Sequence, residues 1–196
     1  MFEPITNLLD HFDKGIIESA IGLAVEIARD GREGRRIGTI FIIGDEQRVL
    51  EHSRPLILDP LAGHPDEVKH INDANLRGTI KELAQLDGAF VFSAGGIALS
   101  ACRYIDTDIS RIELPLGLGS RHLAAASITN VTRALGIVVS ESAMVRVFFN
   151  GGMVAEIIPE LWMISRRCVH LTGHYIEHDI KDLAIFTYPQ SLKTKQ

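Results

Sequence analysis

Residues 117–126 read GLGSRHLAAA. Two glycines, a serine, an arginine and a histidine stand together, and a run of good helix formers follows at once. Gly117 and Gly119 permit positive φ and let a ligand approach the main chain closely. Ser120 is a candidate N-cap for the helix that the alanines predict. The first amides of such a helix lack internal partners, and its macrodipole favours an anion there. Arg121 adds a permanent charge whose planar fork suits phosphate oxygens. Together these features describe a phosphate cradle. The same residues also read as a glycine turn entering an alanine-rich core helix. They do not form a Walker A loop, because no Gly-Lys-Ser/Thr follows, and His122 stands where a Rossmann fingerprint needs its third glycine.

Two other stretches carry carboxylates at predicted strand ends, where α/β proteins build sites. Asp87-Gly88-Ala89 precedes the apolar run AFVF. Asp-Gly favours turns, yet this acid could also orient a hydroxyl or hold a divalent cation. Ser140-Glu141-Ser142 follows the run GIVV. It reads either as a polar strand terminus or as hydroxyls and a carboxylate for a nucleotide or metal. His170, His174 and His178 recur every four residues, which on a helix makes either a zinc-binding stripe or a solvated or packed face. Gly173 weakens such a helix.

The elements that must position these groups follow from periodicity. Ile16, Ile17, Ala20, Ile21, Ala24, Val25 and Ala28 predict a helix over 16–30, stopped by Gly31. The run RIGTIFIIGD at 36–45 reads as a buried strand, and Gln47–Glu51 as the start of a partner strand. Three prolines make 53–66 mostly loop. Asn72 or Asp73 caps a helix over 74–86 with Leu76, Ile80, Leu83 and Leu86 on one face. Residues 88–105 form a hairpin around Ala94-Gly95-Gly96. A helix over about 121–135 is stopped by Gly136, and 137–157 holds two or three strands turned at Asn150-Gly151-Gly152. LWMISRRCVHL is expected to be helical and LAIFTY to be a late strand. The fold class is α/β: a single domain with a mixed, mostly central sheet flanked by helices.

Composition narrows the function. The chain has 196 residues, is 46% hydrophobic and 23% charged, and carries a formal net charge of −5, so a packed core is expected. No run of Lys and Arg marks a nucleic-acid surface; Arg32, Arg35 and Arg36 read as a solvated turn. The N-terminal stretch carries acids rather than the basic region of a signal peptide. No apolar stretch approaches the roughly 20 residues that span a bilayer. Cys102 and Cys168 follow no metal or disulfide pattern, and Cys102 reads as a buried small hydrophobe. A cytoplasmic setting is expected, with neither nucleic acid nor membrane as partner.

The three chemistry-bearing stretches, in this order, resemble the diadenylate cyclase (DAC domain) family. That family carries Asp-Gly-Ala, Gly-Thr-Arg-His-Arg and, about twenty residues on, Ser-Glu-Glu. Here they stand as Asp87-Gly88-Ala89, Gly119-Ser120-Arg121-His122-Leu123 and Ser140-Glu141-Ser142, and the match runs over roughly 20–157. The resemblance implies a domain over 1–159 and an extension over 160–196 that packs on it or mediates assembly. It implies that two ATP molecules are joined into cyclic di-AMP across a face-to-face homodimer or higher homo-oligomer, with Mg²⁺ or Mn²⁺. It implies catalytic roles for Asp87, Arg121 and His122, and ATP contacts from these residues with Gly88, Tyr104, Gly119, Ser120, Ser140 and Glu141. Asp87, His122 and Glu141 would be the metal ligands. Leu123 replaces the second arginine of the family motif and Ser142 its last acid. Leucine cannot bind phosphate, so a nucleotide-binding regulatory module that has lost turnover is the rival expectation.

Overall fold

The computed structural model describes residues 2–9, 11–32, 34–110, 112–159, 175–180 and 183–188. A short helix α1 (Glu3–Thr6) precedes α2 (Lys14–Asp30), which the Asp13 carboxylate caps by accepting the Ile16 amide at 3.0 Å. Gly31 ends α2 with φ of 56°, and an added Cβ there would lie 2.3 Å from the Arg35 carbonyl oxygen, so glycine is required. Then follow β1 (Thr39–Ile43), α3 (Glu46–Glu51), β2 (Ser53–Pro55), a 3-10 turn, α4 (Ala74–Leu83), β3 (Ala89–Phe92) and β4 (Ala98–Ile105). The chain continues through α5 (Ser120–Val131), β5 (Leu135–Val139), β6 (Val145–Phe149), β7 (Gly152–Pro159), β8 (Ile176–Ile180) and β9 (Leu183–Thr187).

Among the described residues the strands form one mixed sheet in the order β2-β4-β3-β1-β5-β6-β7-β9-β8, in which only β1 and β3 run parallel. Alternation along β1 sends Phe41 and Ile43 to one face, against Ile17, Ile21 and Ala24 of α2. Ile40 and Ile42 go to the other, against Ala125 and Ile128 of α5. Both faces are therefore apolar, which is why β1, β3 and β5 are buried at every position. Phe41 meets Phe90 and Phe92 edge to face at 5.7 and 5.6 Å, contacts that stabilise by about 1 kcal/mol each beyond area burial.

Several local expectations are corrected. Gln47–Glu51 lies in helix α3, entered through Asp45 in the left-handed region, with the Gln47 amide donating to Glu51 at 3.1 Å. Only Val49 of that helix is buried, so it has no alternating strand face to offer. The 53–66 loop begins with a short edge strand, β2. The helix α4 ends at Leu83, and Leu86, beyond it, is 43% exposed. Gly136 does not stop α5, whose last turn is held by Arg48 Nη2 donating to the Val131 carbonyl at 2.6 Å. Gly136 lies inside β5, where an added Cβ would press on Ala125 and Thr129 at 3.3 Å; its absence lets α5 seat closely on the sheet.

The segment LWMISRRCVHL, with Cys168, His170 and His174, lies outside the described residues. His178 lies in β8, a strand, so it does not stand on a helix face. β9 pairs antiparallel with β7, and β8 with β9, so the sheet continues past β7 into the C-terminal segment.

Candidate functional site

Strand direction alone collects the candidate residues. In the parallel pair, Ile40 aligns with Ala89, so Gly38 and Asp87-Gly88 precede neighbouring strands at the same sheet end. The antiparallel neighbours finish there: Thr39 pairs with Val139, just before Ser140-Glu141, and Ala89 pairs with Arg103, just before Tyr104. The site thus sits at the amino ends of the parallel pair, not at the carboxyl ends that doubly wound sheets use.

Arg121 joins these pieces. Its Nη1 donates to Glu141 Oε1 at 2.9 Å, and its Nη2 lies 3.5 Å from Asp87 Oδ1. The two acids come from different connections: the α4–β3 turn and the β5–β6 turn. Both are exposed, with side-chain accessibilities of 88% for Asp87 and 66% for Glu141. The guanidinium can lie there because residue 38 has no side chain: a Cβ at Gly38 would sit 2.7 Å from Arg121 Nη1. Gly38 was not singled out by sequence reasoning, and a lone glycine before a strand offers no signal for it.

The loop before α5 is open. Gly117 has φ of 96°, the left-handed geometry expected of it, while Gly119 has φ of −88° and is the N-cap. An added Cβ at either would meet nothing within 4 Å, so no packing within the chain demands glycine at 119. Ser120 is the first helical residue rather than the cap, and no side chain caps α5. Its unmet amides face the loop unassisted.

Gly88 has a different cause. It has φ of 107°, and a Cβ there would fall 2.6 Å from the Cys102 carbonyl carbon and 2.7 Å from the Arg103 nitrogen. Cys102 itself has φ of 54°, at an irregularity in the β3–β4 ladder. Burial, followed by the nearby Asp59 carboxylate, pushes its thiol pKa up, so Cys102 is an inert packing residue as expected.

Ser140 is buried, and its hydroxyl serves the chain. It lies 2.7 Å from Ser142 Oγ, donates to the Met144 carbonyl at 3.1 Å and accepts the Met144 amide at 3.2 Å. Its work is to shape the turn that presents Glu141. Tyr104 is 47% exposed on β4 at the same sheet end, with the Arg54 guanidinium 4.7 Å from its ring centre.

His122 is turned inward. It is 6% exposed, its ring lies 6.1 Å from that of Phe148, and Arg146 Nη1 lies 3.1 Å from Nε2. Arginine only donates, so Nε2 accepts and the proton of the neutral ring sits on Nδ1. Burial, then the Arg146 charge, lowers the pKa to about 4. The Gly119 carbonyl opposes that shift, although no hydrogen bond of good geometry reaches Nδ1. Nε2 faces Arg146 and Nδ1 is buried, and His122 does not stand in one ligand group with Asp87 and Glu141. Asp87 and Glu141 remain as hard oxygen donors. No group of three or more His, Cys, Asp or Glu among the described residues could hold a metal. A divalent cation between these two acids would need ligand oxygens and water to complete its shell, which is how Mg²⁺ usually binds.

Behind His122, Arg146 Nε donates to Glu156 Oε1 at 2.6 Å, and the two side chains are 11% and 4% accessible. This pair was also missed, yet it left a trace. Arg146 and Glu156 are lone charges in apolar strands, almost symmetric about the Asn150-Gly151 turn.

Residues 26–153 match the DAC family, described as DisA bacterial checkpoint controller nucleotide-binding. A diadenylate cyclase of Methanocaldococcus jannaschii is 47% identical over 152 residues, covering 77% of this chain and 48% of that protein. A diadenylate cyclase of Haloferax volcanii is 39% identical over 153 residues, covering 76% of this chain and 55% of that protein. The chain therefore spans about half the length of the curated relatives it matches. The crystal structure of a DacA double mutant from Staphylococcus aureus superposes with a TM-score of 0.50 at 24% identity, covering 71% of this chain and 85% of that one. That likeness concerns the fold.

Proposed function

This chain belongs to the DAC nucleotide-binding family, and we propose that it is a diadenylate cyclase, joining two ATP molecules into cyclic di-AMP with release of two pyrophosphates. The observation that carries the reading is the convergence of Asp87, Arg121 and Glu141 on one point at the open mouth of the sheet end. The two relatives named diadenylate cyclase support the choice of substrate.

The triphosphate would enter the glycine loop and take the free amides at the start of α5, with Arg121 exchanging its carboxylate partners for phosphate oxygens. The open space at Gly119 fits a main chain that a ligand approaches closely. Exposed Tyr104 would stack on adenine. Asp87 would accept the proton of a ribose 3′-hydroxyl as its oxygen bonds to the α-phosphorus of the second ATP. The bond from that phosphorus to the bridging oxygen breaks and pyrophosphate leaves. Arg121 and the helix dipole would stabilise the negative charge of the pentavalent state. Mg²⁺ or Mn²⁺ held by Asp87, Glu141 and phosphate oxygens would supply charge neutralisation.

One such site cannot close the ring alone. Two protomers must face each other so that each ATP is nucleophile to the other, and a symmetric homodimer or higher homo-oligomer is required. We take 1–159 as the unit that carries this site, with 160–196 as an extension that packs on it through β8 and β9, and we place the reaction in the cytoplasm. Among the described residues no helix is long and apolar enough to cross a membrane.

The test is to incubate the purified chain with ATP and either Mn²⁺ or Mg²⁺ and to resolve products by chromatography. Cyclic di-AMP is expected. ATP bound without any cyclic product would instead mean a binding module in which Leu123 marks lost turnover.

A further inference from the structure

A buried polar chain lies under the start of α5. It runs from His122 through Arg146 to Glu156, and ends on Tyr188, just after β9. Arg146 and Glu156 are cross-strand partners on β6 and β7. The Tyr188 amide donates to the Val154 carbonyl at 3.1 Å, which fixes the residue beside β7; Phe186 pairs with Glu156 and Tyr188 follows it by two residues, so Tyr188 shares the face of Glu156 as its diagonal cross-strand neighbour. Burial, then the Glu156 charge, pushes the phenol pKa up to about 12, so the hydroxyl keeps its proton beside that carboxylate. Phe148 flanks the His122 end and Tyr175 the Tyr188 end.

Each link has a reason to hold the next. Arg146 and Glu156 neutralise each other, and a buried charge deprived of its partner is strongly unfavourable. Glu156 therefore aims Arg146, and Arg146 Nη1 aims the His122 ring. His122 is the immediate neighbour of Arg121, and its amide closes the first turn of α5 on the Gly119 carbonyl at 3.0 Å. Fixing the ring fixes the turn from which Arg121 projects. The far end of the chain, Tyr188, lies in the C-terminal segment.

We propose that Glu156 and Tyr188 are positioning residues for the nucleotide site, acting through Arg146 and His122 to hold the first turn of α5, so that the C-terminal segment contributes directly to the site's geometry. The consequence for ATP rests on the reading given under Proposed function; the consequence for α5 does not.

The experiment compares the full chain with Tyr188→Phe and Glu156→Gln, first by amide hydrogen exchange without ligand and then by ATP kinetics. Tyr188→Phe removes only a hydroxyl and is the deciding variant, because Glu156→Gln strips Arg146 of its counter-charge and is the more disruptive. The amides of His122 and Leu123, both bonded to the Gly119 carbonyl, should exchange at least fivefold faster, while those of Phe41 and Ile42 in the central strand stay unchanged. KM for ATP should rise at least threefold, with a smaller change in kcat. Adding Tyr188→Phe to His122→Asn should produce little further effect, since the two act through one network. Unchanged exchange at His122 and Leu123 in folded Tyr188→Phe, or effects that simply add to those of His122→Asn, would overturn the proposal. Faster exchange in a chain whose wild type does not turn over ATP would uphold the positioning role and sink the cyclase reading alone.

Discussion

Arg121 Nη1 donates to Glu141 Oε1 at 2.9 Å, and that contact ties the first turn of α5 to the β5–β6 turn. The pair is open to solvent, with side-chain accessibilities of 33% and 66%. Water screens such a pair, and exposed ion pairs contribute about 0–1 kcal/mol. Its use is therefore orientation: it parks a cation at the mouth of the site until a stronger anion arrives.

Arg121→Ala should accordingly leave stability almost untouched, within about 1 kcal/mol. ATP binding should weaken by about 10- to 100-fold, because charge-assisted hydrogen bonds to phosphate are worth about 1.5–3 kcal/mol. Calorimetric titration with a non-reactive ATP analogue measures it. Unaltered affinity would show that the phosphates sit elsewhere.

Asp87→Asn keeps the shape of the side chain and removes its basicity. Turnover should fall by about 10²- to 10⁴-fold, the usual share of a general base. Binding of ATP should largely persist, since Arg121 and the helix start remain. The decisive measurement is single-turnover formation of cyclic di-AMP alongside analogue binding. Full activity in this variant would exclude Asp87 from the chemistry.

Gly38→Ala separates the site from the fold. The new Cβ would lie 2.7 Å from Arg121 Nη1 and 2.9 Å from its Cζ, both at the far end of a flexible side chain. The guanidinium can swing away cheaply, so the melting temperature should stay close to that of the wild type. Away from Glu141 and Asp87, however, it no longer points at the phosphates. We expect ATP affinity to drop several-fold, read by the same calorimetric titration; a retained affinity would mean that the position of Arg121 seen here is incidental.

The sequence displays some of this site openly and hides the rest. Asp87, Arg121 and Glu141 are legible because each interrupts a pattern: an acid before an apolar run, a cation at a helix start, an acid after a strand. What periodicity cannot supply is direction. His122 follows Arg121 by one residue, so on a helix it points about 100° away, and whether that leads to the ligand or into the core depends on where β6 lies. Ser140 looked equally available, and the turn it builds consumed its hydroxyl. The strands were readable because burial on both faces gives unbroken apolar runs, as in TIFII and LGIVV. α3 was misread because six residues are too few to show a period. The partnership of Glu156 with Arg146 needed the hairpin register, and that of Tyr188 needed β9 to be placed beside β7.

The buried His122 also sets a pH response of the fold. Its pKa is lowered from an ordinary 6.5 to about 4, first by burial and then by the Arg146 cation. Between those values the unfolded chain binds a proton that the folded chain refuses. Protons therefore favour unfolding across this window, and stability falls as pH drops from about 6.5 towards 4, then levels for this group. Between pH 7.5 and 5 the loss should be about 2 kcal/mol, taking about 1.4 kcal/mol per pH unit below the unfolded pKa. Urea unfolding at a series of pH values measures it, and keeping above pH 5 limits the carboxylate contribution. In His122→Asn the side chain no longer titrates, so that part of the slope should vanish even if the variant is less stable overall. If the two slopes coincide over this interval, His122 takes up its proton in the folded chain as readily as in the unfolded one, and the ring cannot be held neutral against Arg146.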